Sequence, residues 1–85
     1  MGDEFHSQIR RVLNDAARLP LDAGALDENA DLYAAGMSSH ASVDVMLELE
    51  DTFEIEFPAR MVNRGLFESI AAIAEAIREL RAEAA

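Results

Sequence analysis

The sequence has no cysteine, no tryptophan and no lysine. The missing cysteine excludes disulfides, thiolate nucleophiles, cysteine-ligated zinc and iron–sulfur clusters. Two prolines and four glycines leave nothing to build a flexible linker, and no internal repeat or low-complexity stretch occurs. No apolar run approaches the roughly 18 residues of a membrane-spanning helix. Met1-Gly2-Asp3-Glu4 is acidic and lacks the basic and apolar regions of a signal peptide, so a cytoplasmic protein is expected. Eighty-five residues imply a single domain over 1–85. A domain of this size buries only about 60% of its unfolded surface. That leaves little room for both a core and a deep substrate pocket, and argues against an enzyme.

Charge is the next asymmetry. Seventeen acids face seven arginines, for a net charge of −10. Nothing basic occurs between Arg18 and Arg60, where Asp22, Asp27, Glu28, Asp31, Asp44, Glu48, Glu50, Asp51, Glu54 and Glu56 are found. The central segment therefore carries the whole net charge. A field of this sign repels phosphate backbones and anionic membranes, and attracts proteins with basic patches.

The hydrophobic residues that make up 51% of the chain fall into helical rows. Phe5, Ile9, Val12, Leu13 and Ala16 predict an amphipathic helix from about Asp3 to Ala17, ending before Pro20. A long connection follows, Leu19 to Met37. It is rich in turn formers, and Leu21, Leu26, Leu32 and Tyr33 are placed to pin it. At 19 residues it exceeds the usual structureless loop, so it hides a helical turn or has a function. A second helix is predicted over Ser39 to Thr52, with Ser38 or Ser39 as its cap. Val45, Leu49 and Phe53 form its core row, with Val43 and Met46 beside it. Asp44, Glu48 and Asp51 form a separate acidic row. Ile55-Glu56-Phe57-Pro58 reads as extended, Ala59 to Asn63 as a short third helix. The last helix opens at Ser69 and carries Ile70, Ile73, Ala74, Ile77 and Leu80. No segment alternates with period two. The fold class is all-α, a small three- to four-helix bundle with a long first loop.

Self-contained chemistry finds no support. His40 follows Ser39 directly, and helical neighbours point about 100° apart, a poor arrangement for a nucleophile–base pair. His6 has no partner that spacing identifies. His40 and Asp44 are one turn apart, but two ligands do not make a metal site. No zinc-protease, calcium-loop or phosphate-loop pattern is present.

One constellation stands out: a loop ending in Gly36, serines 38 and 39 opening a helix, an acidic amphipathic helix, then Ile55-Glu56-Phe57-Pro58. This resembles the acyl carrier protein family. Its members have a Gly-x-x-Ser or Gly-x-Asp-Ser core at the start of the second helix and a Leu-Glu-x-x-Phe-x-Ile-x-x-Pro segment downstream. The resemblance covers Asp31 to Pro58 and extends loosely over the whole helix order. It implies that Gly36 is the family glycine and that Ser39 is esterified by 4′-phosphopantetheine from coenzyme A. A phosphopantetheinyl transferase, with magnesium, would attach that arm. Its terminal thiol would hold cargo as a thioester, bringing thiol chemistry to a cysteine-free chain. Met37, Ser38 and His40 would flank the attachment point, with Met37, His40 and Met46 lining the surface that partners meet, although Met46 also suits the core. The acidic row Asp44, Glu48, Asp51 would dock partners bearing arginine and lysine. Ser38 stands where many members have Asp, and His40 where an apolar residue usually meets the transferase.

A narrower resemblance concerns cargo. Gly36 through Val43, with Phe57-Pro58, Asn63-Arg64 and Phe67-Glu68-Ser69-Ile70, is similar to small stand-alone bacterial carriers. Some of these are aminoacylated by ligases resembling the catalytic core of seryl-tRNA synthetase. The implied partners are the transferase, an acyl- or amino acid-activating ligase and a downstream acceptor enzyme, with no nucleic acid and no membrane; the carrier is expected to be a monomer. Two alternatives share most of these features. One is an acidic helical adaptor without a prosthetic group, and the other a degenerate carrier that is never modified.

Overall fold

The structure, a computed structural model, describes residues 2–20 and 22–84. Among them are three α-helices and no strand. Helix α1 spans Gly2–Val12 and buries Ile9 and Val12. The continuous helix expected as far as Ala17 is not observed. Leu13–Ala17 instead form a wider π-helical turn, which buries Leu13 and Ala17 and ends at Arg18 in the left-handed region, φ 55°. Pro20 follows and prevents the helix from resuming.

The long connection is held by polar contacts as well as by its apolar residues. The Arg10 guanidinium donates to the carbonyls of Ala23 (2.9 Å) and Leu26 (2.5 Å). The Asn14 carboxamide donates to Asp22 Oδ1 (2.9 Å) and accepts from the Ala23 N–H (2.8 Å). Between these ties sits the hidden turn, a 3-10 helix at Ala23–Ala25 capped by Asp22, which accepts from the Gly24 N–H. Leu32 is fully buried, while Leu26 and Tyr33 pack partly buried against the core; Leu21 lies outside the described residues. Farther on, the Leu32 N–H donates to the Glu68 carbonyl (2.8 Å), and the Ala71 N–H to that of Glu28 (2.9 Å). The loop is thereby tied to the entry of the last helix.

Gly36 turns the chain into the second helix with φ +123°, a conformation that L side chains rarely adopt. A Cβ there would also stand 2.8 Å from Pro20 Cδ. Helix α2 then runs Ser39–Phe53 and buries Ala41, Val45, Leu49 and Phe53 in one row. Val43, expected beside that row, is 49% exposed, and Leu47 is 55% exposed. Both lie two residues, about 200° of rotation, from the buried row. The helix ends at Glu54, in the left-handed region, whose N–H returns to the Glu50 carbonyl. The Glu50 carboxylate accepts from the Phe57 N–H at 2.9 Å and holds the path toward Pro58.

The short third helix expected over Ala59 to Asn63 is resolved into two 3-10 turns, Ala59–Met61 and Arg64–Phe67. Asn63 divides them, because its side chain accepts from the Leu66 N–H and starts the second turn. Helix α3 spans Ile70–Ala84, and Ser69 Oγ accepts from the Ala72 N–H at 3.1 Å. Ile70, Ile73, Ala74 and Ile77 are buried as its spacing predicts. α3 packs along α1, while α2 packs on the π turn. Phe5 meets Phe53 edge to face at 5.5 Å, and Phe57 meets Phe67 likewise at 6.1 Å.

Two predictions follow from the loop. Gly36→Ala lowers unfolding free energy by about 1–3 kcal/mol, the scale of forcing a side chain into positive φ, as read by urea denaturation. Asp22 has its pKa lowered by the hydrogen bonds from Gly24 N–H and Asn14. Its contribution is therefore complete above the ordinary carboxylate pKa of about 3.9 and is lost as pH falls through the depressed folded value. In Asp22→Asn, which keeps a capping oxygen, the fall in melting temperature below about pH 4 is shallower than in the wild type.

Candidate functional site

Three serines crowd the start of α2, and their hydroxyls have different tasks. Ser38 is extended (φ −79°, ψ 162°), and its Oγ accepts from the Ala41 N–H at 3.0 Å. Ser38 is thus the N-cap. Ser42 Oγ donates to the Ser39 carbonyl at 2.6 Å. Ser39 is the first helical residue and is exposed. Among the described residues nothing hydrogen-bonds its hydroxyl. An exposed hydroxyl with its proton free stands over a helix N-terminus, where unpaired N–H groups and the helix dipole favour a phosphate ester.

Beside Ser39 opens a groove of about 240 Å³. Its floor is mostly apolar: Val43 and Met46 on α2, Val62 and Phe67 from the 3-10 region, and Tyr33 from the long loop. Asn63 and Arg64 supply the polar rim, and Arg64 is the charged group among the lining residues. Its guanidinium lies over the Tyr33 ring, 4.0 Å from the centroid.

The other residues singled out from sequence fall around this point unequally. Gly36 makes the turn before the serines. His40 is exposed on the first turn of α2. Met46 is half-buried and lines the groove. Met37 does not line a partner-facing surface: it is 3% exposed and belongs to the core. Its N–H bonds the Leu32 carbonyl at 3.0 Å, and that tight turn directs its side chain inward. Glu48 and Asp51 are exposed and Asp44 partly so. Asp44, Leu47 and Glu48 border a shallow hollow with Asp15 and Arg18 from the end of the π turn. Among the described residues no cluster of three or more His, Asp and Glu could hold a metal, and no helix is long and apolar enough to cross a membrane. Sequence patterning did not single out Tyr33 and Arg64 as a pair, because they are 31 positions apart. Val43, expected beside the core row, and Leu47, which the patterning passed over, are exposed; their i, i+4 spacing two residues from that row was the available signal.

A family profile described as a phosphopantetheine attachment site matches residues 7–77. The chain belongs to this family, whose domain is the site of covalent 4′-phosphopantetheine attachment. Within it the chain is a carrier protein. It is 44% identical over 74 residues to an aminoacyl carrier protein of Agrobacterium fabrum, covering 87% of this chain and 89% of that one. A chain in the crystal structure of an engineered Bradyrhizobium japonicum glycine:[carrier protein] ligase complexed with an Agrobacterium tumefaciens carrier protein and ATP superposes with a TM-score of 0.85. The two are 43% identical, over 88% of this chain and 97% of that one. A solution structure from Agrobacterium tumefaciens gives a TM-score of 0.73 at 43% identity, covering 94% and 99%. The residues at the start of α2 suit the group this family carries: an accessible hydroxyl, free N–H groups for a phosphodiester, and an apolar groove alongside.

The division of labour between the serines predicts that only one of them matters to stability. Ser38→Ala loses the cap and costs about 0.5–2 kcal/mol. Ser39→Ala stays within about 0.5 kcal/mol of the wild type. Paired urea titrations of the unmodified proteins measure both.

Proposed function

We propose that Ser39 is the residue that carries 4′-phosphopantetheine and that the chain holds an aminoacyl group on it as a single, non-catalytic carrier domain. The observation that carries this reading is the free Ser39 hydroxyl beside a neighbour that already caps the helix. With Ser38 committed to the Ala41 N–H, Ser39 Oγ can form a new phosphodiester bond without unravelling α2. Ser39 Oγ attacks the pantetheine-side phosphorus of coenzyme A, the P–O–P anhydride bond breaks as the phosphodiester forms, adenosine 3′,5′-bisphosphate leaves, and the hydroxyl proton passes to a base of the transferase. Once attached, the arm supplies a thiol for thioester chemistry.

The aminoacyl cargo is supported by the similarity to an aminoacyl carrier and to a carrier complexed with a glycine ligase. We propose a ligase of that kind as the loading partner and a separate acceptor enzyme as the recipient. The acidic row Asp44, Glu48 and Asp51 would meet basic residues on these partners. Exposed charges of this kind speed encounter and are screened beyond about 8 Å at physiological ionic strength. The exposed Val43 and Leu47 interleave with that row and add apolar contact area.

Intact mass spectrometry after incubation with coenzyme A, magnesium and a broad-specificity phosphopantetheinyl transferase tests the assignment. The wild type and Ser38→Ala gain one phosphopantetheine, and Ser39→Ala gains none. Modification that persists in Ser39→Ala and disappears in Ser38→Ala would move the site by one residue. No gain in any protein would mark a degenerate, unmodified carrier.

A further inference from the structure

The groove that Ser39 lines is also lined by a cation on an aromatic shelf, Arg64 over Tyr33, and several contacts hold the two together. The Asp31 carboxylate accepts from the N–H groups of Tyr33 (2.9 Å) and Ala34 (3.3 Å), setting the shelf. The Asn63 side chain caps the turn that begins at Arg64. The backbone bond from Leu32 to Glu68 ties the two segments one residue before the shelf and one residue after that turn. Arg64 is thus presented over Tyr33 by the fold. Among the described residues it forms no ion pair. The lining of the groove contains no carboxylate, and the first turn of α2 has no acidic residue. In a chain of net charge −10, an unpaired guanidinium facing a carboxylate-free groove is suited to pair with an anion. The groove shares Ser39 with the attachment point, and the one anion that family chemistry places on Ser39 is a phosphodiester.

We propose that Arg64, laid on Tyr33, is a positioning residue for the prosthetic arm: it pairs with the phosphodiester on Ser39 and turns the arm into the groove. The inference rests on Ser39 being the modified residue. A guanidinium suits the task because it donates to phosphate oxygens while its face stays stacked on the ring, whereas an ammonium keeps the charge and loses the stack. The arrangement gives the arm a resting place along Val43, Met46 and Val62, from which partners withdraw it.

Tyr33 is the single tyrosine of a chain without tryptophan, so its emission reports on this groove alone. The wild type, Arg64→Gln and Arg64→Lys are each converted to the holo form, and attachment at Ser39 is verified by intact mass. Tyrosine emission is then compared between apo and holo forms of each protein, and the 31P resonance of each holo protein is recorded at low and high salt. Loading is expected to change Tyr33 emission in the wild type and to leave it unchanged in Arg64→Gln. The wild-type 31P line is expected to be broader than that of Arg64→Gln and to narrow with salt. Arg64→Lys is expected to retain salt-sensitive broadening and lose the Tyr33 response. Holo wild type and holo Arg64→Gln with the same 31P line and the same loading response would overturn the role of Arg64 while leaving Ser39 as the attachment site. Absence of any mass gain at Ser39 would overturn both.

Discussion

Where α2 begins is decided by a hydrogen bond from the Ala41 N–H to Ser38 Oγ. A helix leaves its first N–H groups without partners, and a side chain must satisfy them or water will. Because Ser38 does so, Ser39 falls inside the helix with an uncommitted hydroxyl. Had Ser39 been the cap, the same atom would have had to close the helix and to accept a substituent. The attachment proposed for Ser39 depends on separating those two tasks between adjacent residues.

That start is itself held from behind. Gly36 packs against Pro20 through a positive φ, so the turn before the serines is bound to the stop that ends the first helical segment. Arg10 and Asn14 reach from that segment to the loop between them. The loop is long, but its backbone carbonyls and N–H groups are occupied at intervals by side chains of α1 and the π turn and by the entry of α3. This is why a 19-residue connection can present the serines at a defined place. The polar ties are individually modest, about 0.5–1.5 kcal/mol each, and act alongside the burial of Leu32 in the core.

Much of this was legible beforehand. The rows Ile9–Val12–Leu13, Val45–Leu49–Phe53 and Ile70–Ile73–Ala74–Ile77 predicted three helices and their buried faces, because a period of 3.6 leaves few alternatives when one face must leave water. Ser69 and the stop before Pro20 were equally direct. The misreadings share a cause. Met37 and Val43 are both apolar residues next to the serines, and spacing alone did not tell which would turn inward. Met37 belongs to the loop, where a turn bond to Leu32 sets its direction. Val43 lies across the helix from the row that the core selected. The expected third helix became two 3-10 turns because Asn63 caps the second one, a choice that local propensity does not announce.

By itself the sequence determined the all-α class, the three amphipathic faces, the acidity of the central segment and the Gly36–Ser39 pattern, since each is a matter of residue type and short spacing. Only the tertiary structure decided which serine caps and which stays free, because that depends on where the chain enters α2. It also decided that Tyr33 and Arg64 meet over the groove beside Ser39. They are 31 positions apart along the chain, and they come together where the Leu32 N–H bonds the Glu68 carbonyl and Leu32, Leu66 and Phe67 share the core. Helical periodicity reaches over a few turns; contacts between distant segments are settled by how the loops are pinned.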